Sequence, residues 1–178
     1  FLGEYVIRRL LKTRSEIRAF VRPTSDIAWL RKQDVRLFSG DLSQDHAIQS
    51  ALQGVDLLIN VASLGFGHAP NIVNSLIKSG VRRAVFVSST SIFSKLSTRS
   101  KATRIQAELV IAESGLDYTI VRPTMIYGSP RDRNIWRLVN FINKWPIIPI
   151  IGRGDALQQP VYADDVAQAI ISAAHRDL

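Results

Sequence analysis

The chain has 178 residues, 46% hydrophobic and 21% charged, which is enough apolar matter for one sizeable core. It contains no cysteine, which excludes disulfides and thiolate metal sites, and His46, His68 and His175 fall at no metal-ligand spacing, so no metal centre is expected. The formal net charge of +8 suits an anionic ligand, but Arg8-Arg9, Arg82-Arg83 and Arg131/Arg133 are separate small groups, which argues against a nucleic-acid surface.

Taken in chain order, short β-branched runs alternate with stretches of helical spacing. Residues 1–12 read as a helix and 16–22 (EIRAFVR) as a strand. Residues 25–32 read as a helix with Ser25 or Asp26 near its cap, and 34–39 as a strand ending in Gly40-Asp41. A short helix over 45–52 precedes the buried strand 55–61 (VDLLINV), and a helix over 70–79 is closed by Gly80 before the strand 83–88 (RAVFVS). Residues 98–113 form a long helix, and 118–122 (YTIVR) a strand stopped by Pro123. Helices over 134–143 and 163–175 complete the chain.

Strand and helix alternate without hairpin signals, which predicts a parallel sheet covered on both faces. No linker or repeat divides residues 1–178, so one domain is expected. No apolar run nears the roughly 20 residues that span a bilayer. The opening residues lead into an amphipathic helix and not a cleavage site. A membrane is therefore not an expected partner, and a cytoplasmic location is the expectation.

In an open parallel sheet, ligands bind beyond the carboxyl ends of the strands. The residues there are Arg22, Gly40-Asp41, Asn60-Val61-Ala62-Ser63, Ser88-Ser89-Thr90 and Pro123-Thr124-Met125. Around them lie FLGEYVIRRLL, IRAFVRP, LFSGDLSQ, GVDLLINVAS, AVFVSSTSIF, ESGLDYTIVRPTMIYG and PVYADDVAQAI. Together these pieces resemble the short-chain dehydrogenase/reductase superfamily, in its extended or atypical branch of NAD-dependent epimerase/dehydratase-like and NAD(P)-binding proteins.

The resemblance implies an α/β fold: a Rossmann-type, doubly wound parallel sheet in three layers. Relatives carry a strand and Gly-x-x-Gly-x-x-Gly before the first helix. Gly3 matches the last of these glycines, so the first strand is expected to lie upstream of Phe1, and the protein to continue past Leu178. Phe1, Leu2 and Gly3 then fall among the cofactor-binding residues, with Gly3 letting helix and strand pack closely. Asp41 and Leu42 face the adenine, and Val61, Ala62 and Ser63 lie against the ribose and pyrophosphate. Ser88, Lys101, Pro123, Thr124 and Met125 lie toward the nicotinamide. An acid at the end of the second family strand serves NAD(H), a base NADP(H). Arg22 stands there with Ser25 nearby, so NADP(H) is the expected cofactor, with NAD(H) as the alternative.

The family's usual acid–base pair is a Tyr-x-x-x-Lys on the long helix, and no tyrosine here has a lysine four residues on. Setting Lys101 at the lysine position puts Ser97 at the tyrosine position. Aligning on Glu108 puts Ser100 and Arg104 there, and Phe93 replaces a second aromatic hydroxyl. The remaining catalytic candidates are Ser89, then Thr90, with Lys101 for the nicotinamide ribose or a substrate anion and Tyr127 as proton source. His68 reads as a surface residue. Two functions stay open. One is an NAD(P)-dependent oxidoreductase or sugar-nucleotide epimerase/dehydratase acting on a carbonyl compound or nucleotide sugar. The other is a non-catalytic NADP(H)-binding sensor or accessory subunit. The hydroxyls, Lys101 and PVYADDV lean toward an enzyme. A homodimer through the long helix is the pairing the family implies.

Overall fold

The structure, a computed structural model, describes residues 1–95, 97–132, 135–145, 147, 153, 155 and 157–175. Its elements are α1 (Leu2–Leu10), β1 (Arg18–Val21), β2 (Arg36–Ser39), α2 (Asp45–Leu52), β3 (Leu57–Asn60), α3 (Ala69–Lys78), β4 (Arg83–Val87), α4 (Arg99–Ala112), β5 (Asp117–Val121), β6 (Ile126–Tyr127), α5 (Ile135–Lys144), β7 (Val161–Tyr162) and α6 (Ala163–Ala174). Every strand pairing among the described residues is parallel.

β4 explains the layering. Its RAVFV run does not alternate, the pattern of a strand with no wet face, and Ala84, Val85, Phe86 and Val87 are all buried. Ala84 and Phe86 join one cluster with Ile72 and Leu76 of α3 and Ala107 and Ile111 of α4. Val85 and Val87 point the other way, to Val6 of α1 and Val166, Ala167 and Ile170 of α6. Helices thus cover both faces, giving the three layers expected. Burying each of Val85 and Phe86 contributes about 1.5–3 kcal/mol.

The described strands form three hydrogen-bonded groups, β1–β2, β3–β4–β5 and β6–β7. β1–β2 is not hydrogen-bonded to β3–β4–β5, although Phe20 of β1 and Leu58 of β3 pack on the same cluster. α1 starts beside the end of β3: a Cβ on Gly3 would lie 3.2 Å from Val61 Cγ2.

The helix expected over 25–32 does not form. Only a 3-10 turn, Leu30–Lys32, is present. Ser25 N–H turns back to the Arg22 carbonyl, and the Asp26 carboxylate accepts from Ala28 N–H. These local bonds offer the backbone an alternative to helix. Arg8 then lies over the Trp29 ring at 4.4 Å, holding the loop to α1. The two-residue strands β6 and β7 are too short for periodicity to reveal. The helix expected from residue 134 is α5, beginning at Ile135; Asn134 lies outside the described residues.

Candidate functional site

Parallel pairing sends the carboxyl ends of the strands to one edge. At the end of β1, Arg22 is exposed and belongs to no ion pair among the described residues. At the end of β2, Asp41 accepts from Ser43 N–H (2.8 Å) and Ser43 Oγ–H (2.6 Å), an Asx turn that leads toward α2. Those two bonds from Ser43 hold the Asp41 carboxyl below its ordinary value, and the charges of His68 and Arg22 act in the same direction. His68, read from sequence as a bystander, therefore shares a field with Arg22 and Asp41. Leu42 O accepts from Asn71 Nδ2 of α3 at 3.2 Å. Gly40 has no room for a side chain: a Cβ would lie 2.8 Å from both Phe20 Cζ and Ala47 Cβ. Ser25 sits in the turn after Arg22.

Past β3, the Ala62 carbonyl accepts from Asn60 Nδ2 at 3.2 Å. Ser63 Oγ accepts from Gly65 N–H at 3.2 Å and from Arg104 Nη2 at 3.3 Å. Lys101, one turn earlier on α4, instead donates to the Ser94 carbonyl at 2.5 Å, on the turn that follows Ser89 and Thr90. α4 thus delivers two cations to different strand ends, and Arg104 is the one beside Ser63. Ser100, in the family's tyrosine position by the same alignment, shares a hydrogen bond with Thr98 Oγ1 (3.3 Å). Phe1 and Leu2, the other predicted N-terminal site residues, are half-buried: Phe1 packs edge-on to Tyr5, and Leu2 lies on the α1–α6 cluster.

The loops after β4 and β5 are stitched together. Thr90 N–H and Thr90 Oγ1 both donate to the Pro123 carbonyl, at 3.1 and 3.4 Å. Thr124 Oγ1 donates to Gln159 O at 2.5 Å, and Val161 N–H to Met125 O at 2.9 Å, which zips the β5 exit to β7. Ser89 Oγ accepts from Ser91 N–H at 3.2 Å, leaving its own O–H to donate elsewhere. Ser88 is buried, and its hydroxyl makes no hydrogen bond of good geometry, yet it lies against Glu108. Arg122 forks onto that carboxylate at 2.6–3.1 Å. Burial pushes Glu108 up, but the Arg122 fork and Ser88 outweigh it, so the carboxyl sits below its ordinary value.

Tyr127 pairs in register with Tyr162, their rings 5.6 Å apart, and Tyr5 lies 6.0 Å from Tyr162. Tyr5 OH donates to Gly128 O at 2.6 Å. Burial first, and then Tyr162, raises the Tyr5 phenol above its usual value, which keeps it protonated. Gly128 has φ +135°, and a Cβ there would meet the Tyr162 ring at 2.7 Å. Sequence reasoning singled out Tyr127 alone. The aromatic group and the Arg122–Glu108 fork were missed because their partners are distant in sequence. The repeated Ile126-Tyr127 and Val161-Tyr162 pattern was the one available hint.

The family model described as NAD(P)H-binding matches residues 1–177. The chain belongs to that NAD(P)H-binding family. Quinone oxidoreductase 2 of Escherichia coli (strain K12) is 34% identical over 131 residues, 68% of this chain and 44% of that protein. Its crystal structure complexed with NADPH aligns with a TM-score of 0.59 at 31% identity, over 68% of this chain and 45% of that one. The mitochondrial NADH dehydrogenase [ubiquinone] 1 alpha subcomplex subunit 9 of Arabidopsis thaliana is 26% identical over 201 residues, 99% of this chain and 48% of that protein. A short-chain dehydrogenase/reductase of Veillonella parvula, solved in complex with NADP, covers 99% of this chain and 83% of its own at TM-score 0.71 and 19% identity, a likeness of fold. The chain spans about half the length of the curated relatives it matches. Membership in the NAD(P)H-binding family bears out the NAD(P)-binding resemblance, and the likeness to the NADP-bound structure bears out the fold read from the sequence.

Proposed function

We propose that this chain carries the dinucleotide site of an NADP(H)-dependent reductase, with Arg22 selecting the 2′-phosphate. The observation that carries the reading is the state of Arg22: exposed at the β1 carboxyl end and in no ion pair among the described residues. The nearby acid, Asp41, is already engaged by Ser43. A free guanidinium fork takes a phosphate through two charge-assisted hydrogen bonds, and Ser25 adds a donor. Asp41 and Leu42 then border the adenine. Phe1, Leu2 and Gly3, at the start of α1, and Val61, Ala62 and Ser63 flank the pyrophosphate, where helix N-terminal amides favour anions. Ser88, Lys101, Pro123, Thr124 and Met125 bound the nicotinamide end.

The dinucleotide, when bound, supplies the hydride. Ser89 orients the acceptor oxygen, because its O–H remains free to donate whereas that of Thr90 is directed to Pro123 O. Tyr127 supplies the proton, in place of the absent Tyr-x-x-x-Lys. Similarity to quinone oxidoreductase 2 favours a quinone or other reducible carbonyl over a nucleotide sugar.

Titrating the full-length protein with NADPH and NADH tests the cofactor. NADPH should bind at least about tenfold more tightly, and equal binding removes the assignment. NADPH oxidation in the presence of quinones and aldehydes tests the reductase. The second reading, an accessory subunit without turnover, draws on Lys101, whose ammonium is tied to the Ser94 carbonyl, and on the likeness to the plant NADH dehydrogenase subunit. It predicts tight NADPH binding with no oxidation by any acceptor.

A further inference from the structure

α5 is out of keeping with the rest of the molecule. It is strongly amphipathic, yet none of its residues is buried. Ile135 and Ile142 are half-buried, and the helix touches β6. The stripe made by Leu138 (44% exposed), Phe141 (41%) and Trp145 (58%) looks outward, and Ile147 beyond it is 76% exposed. Positions 138, 141 and 145 recur every three to four residues, so they share one face. Arg137 and Lys144, two turns apart and exposed, lie along the flank of that stripe. Asp132 fixes the entry to the helix, accepting from Trp136 N–H at 2.8 Å. A contiguous apolar stripe of this kind in water marks an interaction surface.

Charge identifies the partner. Across α5 and the residue after it, 135–145, the sequence carries Arg137 and Lys144 and not one Asp or Glu. An apolar stripe with Trp and Phe, flanked by cations only, is the composition of a helix lying in the plane of a lipid headgroup region. The lysine and arginine stems reach past the stripe to the phosphates, and each adds about 1 kcal/mol of attraction to an anionic leaflet, or roughly fivefold. We propose that α5 docks this protein onto an anionic lipid surface. Among the described residues no helix is long and apolar enough to cross a membrane, and none needs to be. A helix lying in the headgroup plane needs no spanning apolar run.

Flotation of the full-length protein with vesicles of phosphatidylcholine alone, and of phosphatidylcholine with phosphatidylglycerol, tests it. Association with the anionic vesicles is expected, with a blue shift of tryptophan emission and at least about fivefold weaker association on the zwitterionic ones. Phe141→Ser with Trp145→Ser should lose about tenfold or more on the anionic vesicles. Arg137→Glu with Lys144→Glu should remove the preference for anionic lipid, and it changes only exposed side chains should the first variant fail to fold. Retained NADPH binding in both variants separates this result from the cofactor assignment. No association with either vesicle, or association unchanged in both variants, overturns the proposal. So does a homodimer that the serine variant dissociates while vesicles are ignored, because a second copy would then cover the stripe.

Discussion

The β3–β4–β5 sheet and the β1–β2 pair are built from the same kind of parallel strand but carry different loads. β4 is sealed by helices on both faces, and four consecutive side chains are buried. In β1 only Ala19 is buried, and in β2 none is. Yet the thinner pair ends in Arg22 and Asp41, the charged groups to which the proposed function assigns the choice between cofactors. The contrast teaches that burial is concentrated in one half of the sheet, while the proposed reading sets ligand choice in the other. The largest expected effect tests the first half of that statement. Phe86→Ala should destabilise the full-length protein by about 3–5 kcal/mol in chemical denaturation. The same truncation at Phe20, which is only partly buried, should cost on the order of 2 kcal/mol. Equal losses would mean that the two pieces of sheet share the load.

The next effect tests the second half. Arg22→Asp should weaken NADPH about tenfold to a hundredfold while leaving the melting temperature nearly unchanged, since the Arg22 side chain is exposed and in no ion pair among the described residues. Calorimetric titration beside a thermal scan reads both. A large loss of stability with unchanged NADPH affinity would reverse the two roles.

The same division governs what could be read from sequence. Buried parallel strands announce themselves, because an unbroken apolar run such as RAVFV has one structural explanation. The helix over 45–52 was likewise found at its observed bounds, Asp45–Leu52. Strand-end positions follow once the strands are known, so Arg22, Asp41, Ser63 and Ser89 fall where expected. What could not be read depends on partners far apart in the chain. Arg122 and Glu108 meet through a fork across a turn, and Tyr5, Tyr127 and Tyr162 gather from three elements. The stretch 25–32 failed for the opposite reason: local bonds from Asp26 and Ser25 overrode its helical spacing.

A smaller effect separates a sheltered ion pair from the sheet itself. Glu108, only 11% exposed against 38% for Arg122, has its carboxyl held low in the folded chain. A lowered folded value means that the stabilisation is complete above the ordinary glutamate range, about pH 4.3, and is lost as pH falls through the lowered value. Glu108→Gln should cost on the order of 1 kcal/mol at neutral pH after allowance for screening at the exposed arginine. It should also flatten the acid limb of a stability–pH curve. An unchanged acid limb would show that the fork is not the group titrating there.

The smallest effect belongs to Arg9 and Asp164, and it shows why geometry alone does not rank ion pairs. Their bidentate contacts, 2.8 and 2.7 Å, are as short as those of the Arg122 fork. They also join the last turn of α1 to the first turn of α6, where the helix dipoles favour both charges. Hydrogen bonding to Arg9 holds the Asp164 carboxyl low, so this contribution, too, is present above the ordinary aspartate range and lost toward acid. Both side chains, however, stand in water, at 26% and 39% exposure. Solvent and salt screen such a pair, and ordering two long side chains opposes it. Arg9→Gln should therefore lower the melting temperature less than Glu108→Gln does, and the difference from wild type should fade as salt is added. The Glu108 effect should persist in the same salt series, because its carboxylate is shielded from the ions. If both fade together, the Arg122 fork behaves as a surface pair.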